Sequence, residues 1–150
     1  LATASSDHRV RVWDVESRQL VVELGRDGPP SGHGGAIWAV AWAHPTHGQV
    51  LASAGEDRCV LFWRGPVWRS DSTGETEDDW CAIYRHELQG AVIAVAFGPW
   101  EYGLQLAAAS SDGSVTVLSH NGAAQAEGDR WCKESFQAHE GGAFAVCWAP

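Results

Sequence analysis

The chain has 150 residues, of which 45% are apolar and 19% charged, so it can bury a core and is neither disordered nor fibrous in composition. Ten basic against 19 acidic residues give a formal charge of −9, which argues against a phosphate-tracking nucleic-acid surface. No run of apolar residues is long enough for a membrane-spanning helix, and the unusual features that remain are nine Trp, 17 Gly and no Met.

The first predicted unit, residues 1–31, opens on Leu1-Ala-Thr-Ala-Ser-Ser-Asp7. This heptad returns as Leu51-Ala-Ser-Ala-Gly-Glu-Asp57 and Leu106-Ala-Ala-Ala-Ser-Ser-Asp112, at offsets of 50 and 55 residues. Val10 to Trp13 aligns with Val60 to Trp63 and with Val115 to Leu118. Such self-similarity marks a repeat architecture.

The second unit, 32–87, adds the run Ile37-Trp-Ala-Val-Ala-Trp42, whose period of two predicts a strand. Trp38, Val40 and Trp42 form one face, and Ile37, Ala39 and Ala41 the other. Both faces are apolar, so the sheet must be covered on both sides, as stacked copies would do. Four strands are predicted here, about 36–42, 50–55, 59–64 and 80–85. The third unit, 88–137, repeats them at about 91–97, 105–110, 114–119 and 130–136. The last segment, 138–150, carries Ala143-Phe-Ala-Val-Cys-Trp148, which reads as the first strand of a further unit.

Four antiparallel strands per unit in a radial array make a β-propeller blade. The fold class expected is all-β, a partial propeller of about three four-stranded blades. The strand tally of three, four, four and one puts the chain out of phase with whole blades, as a piece of a larger propeller. Unit length in excess of a usual blade falls in the loops 65–79 and 119–129, where Gly, Ser and acidic residues collect.

His33, Ser53, Asp57 and Trp63 recur at the spacing of a WD repeat. Ser, His and Asp suggest acyl transfer, but no Gly-x-Ser-x-Gly elbow surrounds Ser53, which lies within an apolar strand. A buried hydrogen-bond chain from indole through hydroxyl and imidazole to carboxylate is the reading that explains recurrence. The first unit has the partial set Thr3, Asp7 and Trp13, with its His expected upstream of Leu1. The third keeps Asp112, with Leu88, Ala108 and Leu118 elsewhere, and the start of the fourth has His139. No catalytic residue, cofactor site or small-molecule ligand is predicted. His44 and His47 flank Pro45 without a third metal ligand, and Cys59, Cys81, Cys132 and Cys147 form no Cys-x-x-Cys pair. Trp68, Trp80, Trp100 and Trp131 lie off the strand pattern and serve either packing or partner anchoring.

The run from Ile37 to Arg58, with its Ala43-His-Pro45 turn, resembles one WD-repeat subfamily. So do Trp100-Glu-Tyr-Gly-Leu-Gln-Leu-Ala107, Ser110-Ser-Asp-Gly113 and the closing Ala149-Pro150. The chain is similar to the family of secretory protein thirteen, the small propeller of the COPII vesicle coat that also serves in the nuclear-pore outer ring. A sibling nucleoporin shares the Ala-His-Pro turn, and its loop is closer in length to 65–79. The resemblance implies a non-enzymatic scaffold, six-bladed and open, completed by a blade that a helical-solenoid partner donates. It implies other coat or Y-complex subunits as further partners. Its place would be the cytoplasmic face of the endoplasmic reticulum, COPII vesicles and the nuclear pore. An open sheet edge accepts a donated strand readily. The resemblance maps partner contacts to no particular residues. The alternative of a different class is a peptide-recognition adaptor, which needs charged or aromatic residues around the channel mouth.

Overall fold

The computed structural model describes residues 1–28, 30–66, 79–122 and 130–149. It contains three antiparallel sheets and, among the described residues, no α-helix. The first sheet has three strands, β1 (Ala2–Ala4), β2 (Val10–Trp13) and β3 (Leu20–Leu24). The second runs β4 (Ile37–Trp42), β5 (Val50–Gly55), β6 (Cys59–Arg64) and β7 (Cys81–Glu87). The third runs β8 (Val92–Phe97), β9 (Gln105–Ser110), β10 (Ser114–His120) and β11 (Trp131–Gln137). Each sheet is a meander in sequence order, so every ladder joins chain neighbours.

The middle sheet explains why both faces of the repeat are apolar. Alternation along β6 sends Val60 and Phe62 to a core shared with the third sheet, and Cys59, Leu61 and Trp63 to one shared with the first. All of β5 is buried. Its Ala52 and Ala54 meet the same core as Ala108 of β9, so small side chains let the sheets approach closely. Phe62 is fully buried and lies 4.4 Å from the Trp131 ring and 6.1 Å from Phe97. Burial of one such ring stabilises by roughly 1.5–3 kcal/mol.

Coverage is less complete elsewhere. Val21 and Phe136, on the two outer sheets, are 60% and 56% exposed, because each outer sheet has one face without a neighbour. In β4, Trp38 and Trp42 are 50% and 40% exposed, against the sequence expectation of full burial. The ladder shifts register between Ile37 and Ala39, and the extra residue at that bulge is Trp38.

The expected strand over Ala143–Trp148 does not form. In the second and third sheets the equivalent segments, β4 and β8, pair with the strands that follow them, β5 and β9. The segment nonetheless docks as a first strand does. The Ala143 N–H donates to Ser110 O at 3.0 Å, just as Ile37 N–H donates to Ser5 O at 3.1 Å. Trp148 Nε1 donates to Ala96 O at 2.9 Å.

The turn after the repeated heptad has one geometry in all three sheets. Asp7, Asp57 and Asp112 each accept the N–H two residues on, at 3.1, 3.2 and 3.0 Å. The residue after each Asp is left-handed: His8 at φ 66°, Arg58 at 61° and Gly113 at 83°. Only the third copy uses the residue that adopts this conformation freely. A Cβ on Gly113 would also collide with the carbonyls of Gly141 and His139.

Gly113→Ala is therefore expected to destabilise by about 1–3 kcal/mol. His8→Gly at the equivalent turn should be neutral or slightly stabilising. Denaturant melts of the two variants check the contrast, and equal losses would contradict it.

Candidate functional site: a buried polar chain across the second blade

Ser53 sits at the centre of β5, wholly buried, opposite Leu61 of β6 and Val40 of β4. Its Oγ accepts the indole N–H of Trp63 at 2.8 Å and lies 2.8 Å from Nε2 of His33. Nδ1 of His33 is 3.0 Å from both carboxylate oxygens of Asp57. Asp57, an acceptor only, fixes the proton on Nδ1, so Nε2 accepts the Ser53 hydroxyl. The chain thus runs one way, indole to hydroxyl to imidazole to carboxylate, with each donor used once.

Asp57 collects more than His33. Gly34 N–H donates to Oδ2 at 3.0 Å, Cys59 N–H to Oδ1 at 3.2 Å, and the Arg85 guanidinium stands 3.7 Å from Oδ2. Burial by itself pushes this carboxyl upward. The hydrogen bonds from His33 and Gly34 outweigh that and hold it below the usual carboxylate value of 3.8. Arg85 also donates to Gly32 O and to Cys59 Sγ, both at 2.8 Å. The Cys59 thiol is buried, and burial followed by the nearby Asp57 charge pushes its pKa up, so it stays protonated. The loop between the first two blades is therefore tied to β7 as well as to the turn of its own blade.

The partial sets behave differently. Trp13 Nε1 donates to Thr3 Oγ1 at 2.9 Å, the equivalent of the Trp63–Ser53 bond. Asp7 pairs with Arg11 at 2.7 Å, and Arg11 reaches Glu23 at 2.9 Å. Asp112 is exposed and binds Ser114 through its N–H at 3.0 Å and its hydroxyl at 2.7 Å. His139 is exposed, and its carbonyl accepts from Gln137 Nε2 at 2.7 Å. The third blade has its own polar pair, the hydroxyls of Thr116 and Ser135 at 2.8 Å. No sequence signal marked Arg85, Thr116 or Ser135, since their roles depend on the register of the fourth strands.

Ladder register follows the same division. In the first two sheets a bulge falls at the tryptophan, between Val12 and Trp13 and between Phe62 and Trp63. In the third, where Leu118 replaces the tryptophan, β10 and β11 pair without a break from Ser114 to His120. The bulge accompanies the indole that must reach a hydroxyl on the neighbouring strand.

The off-pattern tryptophans mostly pack. Trp80 meets Trp42 edge-on at 5.7 Å, and Trp131 stacks on Tyr84 at 4.5 Å. Trp100 stacks on His44 at 5.5 Å but remains 47% exposed. Trp68 and most of the loop 65–79 lie outside the described residues. Nothing around Ser53 can do acyl transfer, because a fully buried hydroxyl reaches no substrate. The arrangement orients and locks.

Known proteins align with this geometry. The family model described as "WD domain, G-beta repeat" matches residues 28–64, the span that holds all four members of the polar chain. The protein transport protein SEC13 of Coccidioides immitis is 38% identical over 153 residues, covering 100% of this chain and 45% of that protein. That of Cryptococcus neoformans is 39% identical over 156 residues, at 100% and 44% coverage. The SEC13 homolog of Drosophila melanogaster is 40% identical over 153 residues, at 100% and 38%. The chain thus spans less than half the length of these curated relatives. A chain from the crystal structure of a mitotic checkpoint complex superposes with a TM-score of 0.66 at 19% identity, over 95% of this chain and 38% of that one, a likeness of fold alone.

Asp57→Ala leaves His33 and two backbone N–H groups without an acceptor, and should destabilise by about 1–3 kcal/mol more than Asp112→Ala. Equal shifts in melting temperature would overturn this. A carboxyl depressed on folding contributes stability above its unfolded pKa and loses it as pH falls through the lower folded value. The stability gap between the wild type and Asp57→Asn should therefore shrink as pH drops below 3.8, the ordinary value. Chemical denaturation across that range reads it out.

Proposed function

Because the chain belongs to the SEC13 family of WD-repeat propellers, we propose that it is part of a non-enzymatic scaffold subunit that works in protein transport. The observation that carries this is the identity of 38–40% along the whole chain to two proteins named for that role and to a third named as a SEC13 homolog. The geometry supports a scaffold over a catalyst. The hydroxyl and imidazole of the Ser53, His33 and Asp57 constellation are buried, and its polar atoms are engaged by one another and by Trp63, Gly34 and Cys59.

The finer reading is that the complete propeller is open and six-bladed, and that a helical-solenoid partner donates the strands that close it. A propeller with an unclosed edge leaves a row of backbone N–H and C=O groups unpaired, which a donated strand satisfies without new side-chain chemistry. The assembly so formed acts as a vesicle-coat edge and as an element of the nuclear-pore outer ring. The excess of acidic residues suits protein partners better than nucleic acid.

Affinity purification of the full-length protein from its own cells should bring down a helical-solenoid subunit in about equal amount. A full-length protein that remains monomeric and stable with no such partner would count decisively against this reading. Size-exclusion chromatography with light scattering distinguishes the outcomes.

A further inference from the structure

A second polar site lies between the outer strands of the second and third blades. Arg64 at the end of β6, Ile83 and Tyr84 of β7, His120 at the end of β10, and Arg130 and Trp131 at the start of β11 enclose a pocket of about 220 Å³. None of these residues is acidic. Strand alternation accounts for that. Cys59 faces the first sheet, and Glu87 is its partner across the ladder, so Glu87 points away from the pocket. Leu118 faces the second sheet, and Glu134 opposes its neighbour Val117, so Glu134 also points away.

The cations here have no counter-ion among the described residues. Every ion pair found there engages Arg9, Arg11, Arg26, His33, Arg58 or Arg85, and none engages Arg64 or Arg130. The electrostatic setting is visible at His120. Burial, then the charges of Arg130 and Arg64, push its pKa down. The indole of Trp131 forms the floor, edge-on to the His120 ring at 4.9 Å and stacked on Tyr84 at 12°. A local cluster of like charge in a chain of net charge −9 is the reverse of what composition would distribute there.

We propose that this pocket binds a phosphate monoester, held between the Arg64 and Arg130 guanidiniums with His120 as a third donor. Guanidinium forks match tetrahedral oxyanions bidentately, and an imidazole above a rigid aromatic floor adds a directed N–H. The phosphate is either free in solution or carried on a phosphorylated serine of a protein. The chemistry of recognition is the same.

The test is isothermal titration of the full-length protein with inorganic phosphate and with a short phosphoserine peptide, against chloride and the unphosphorylated peptide. Saturable binding of phosphate, weakened about tenfold or more in Arg64→Ala/Arg130→Ala, is the expected result. Both arginines are exposed at the surface, so the double variant should melt as the wild type does. Arg64→Lys/Arg130→Lys keeps the charge but not the fork, and should fall between the two. A peptide bound at least about tenfold tighter than inorganic phosphate assigns the site to a modified protein, and equal affinities assign it to free phosphate. Binding that is no stronger than that of chloride, or that survives in the alanine variant, overturns the proposal.

Discussion

A four-stranded sheet with two apolar faces is insoluble as a separate object, and its stacking between neighbours is what the remaining structure answers to. Phe62, Val60 and Ala52 face one neighbour while Leu61 and Leu51 face the other, and all five are fully buried. This requirement sets the composition of the strands, with aromatic residues at one level and alanine at the next. It also explains why exposure rises toward the outer sheets, where one face has no companion. Stability of such an array is a sum of unit and interface contributions, as in other repeat proteins.

Within that frame the polar chain of the second blade solves a specific difficulty. A connection between blades carries backbone groups that need partners, and it must not drift. His33 and Gly34 anchor that connection to Asp57, and Arg85 secures Gly32 from the opposite side. The third blade reaches the same end with different means. Leu88 and Leu118 fill the positions of the imidazole and indole, and the ladder between β10 and β11 runs unbroken. The two solutions are physically distinct. One depends on directed bonds that fail together when one member is lost. The other depends on area, which degrades gradually.

Much of this was legible in the chain. The heptad ending in Asp7, Asp57 and Asp112 fixed the hairpin turn in each copy, and the geometry of all three is the same to within a few tenths of an ångström. The recurrence of Asp is explained by that local turn, with or without a histidine. This is why Asp112 persists where the rest of the set does not. The membership of His33, Ser53 and Trp63 in one chain of contacts was likewise readable from spacing. What spacing could not supply was register in the fourth strands, where no motif repeats. Arg85, Thr116 and Ser135 owe their partners to pairings of β7 and β11 that only three dimensions reveal. The exposure of Trp38 escaped for a related reason, since a bulge moves one residue out of alternation without any mark in the sequence. The segment 143–148 reads as a strand because its pattern is right, but a strand is a relation between two segments.

The position of His33 has a kinetic meaning. Every ladder here joins adjacent segments, and such local pairings form early and re-form easily. The bond from His33 to Asp57 spans 24 residues and ends a chain that also needs β5 beside β6, since Ser53 meets Trp63 from the neighbouring strand. Contacts that mature late leave the folding rate nearly unchanged and act mainly on the rate of escape from the native state. The polar chain is thus a clasp more than a nucleus. Its worth lies in how long a blade stays shut under strain.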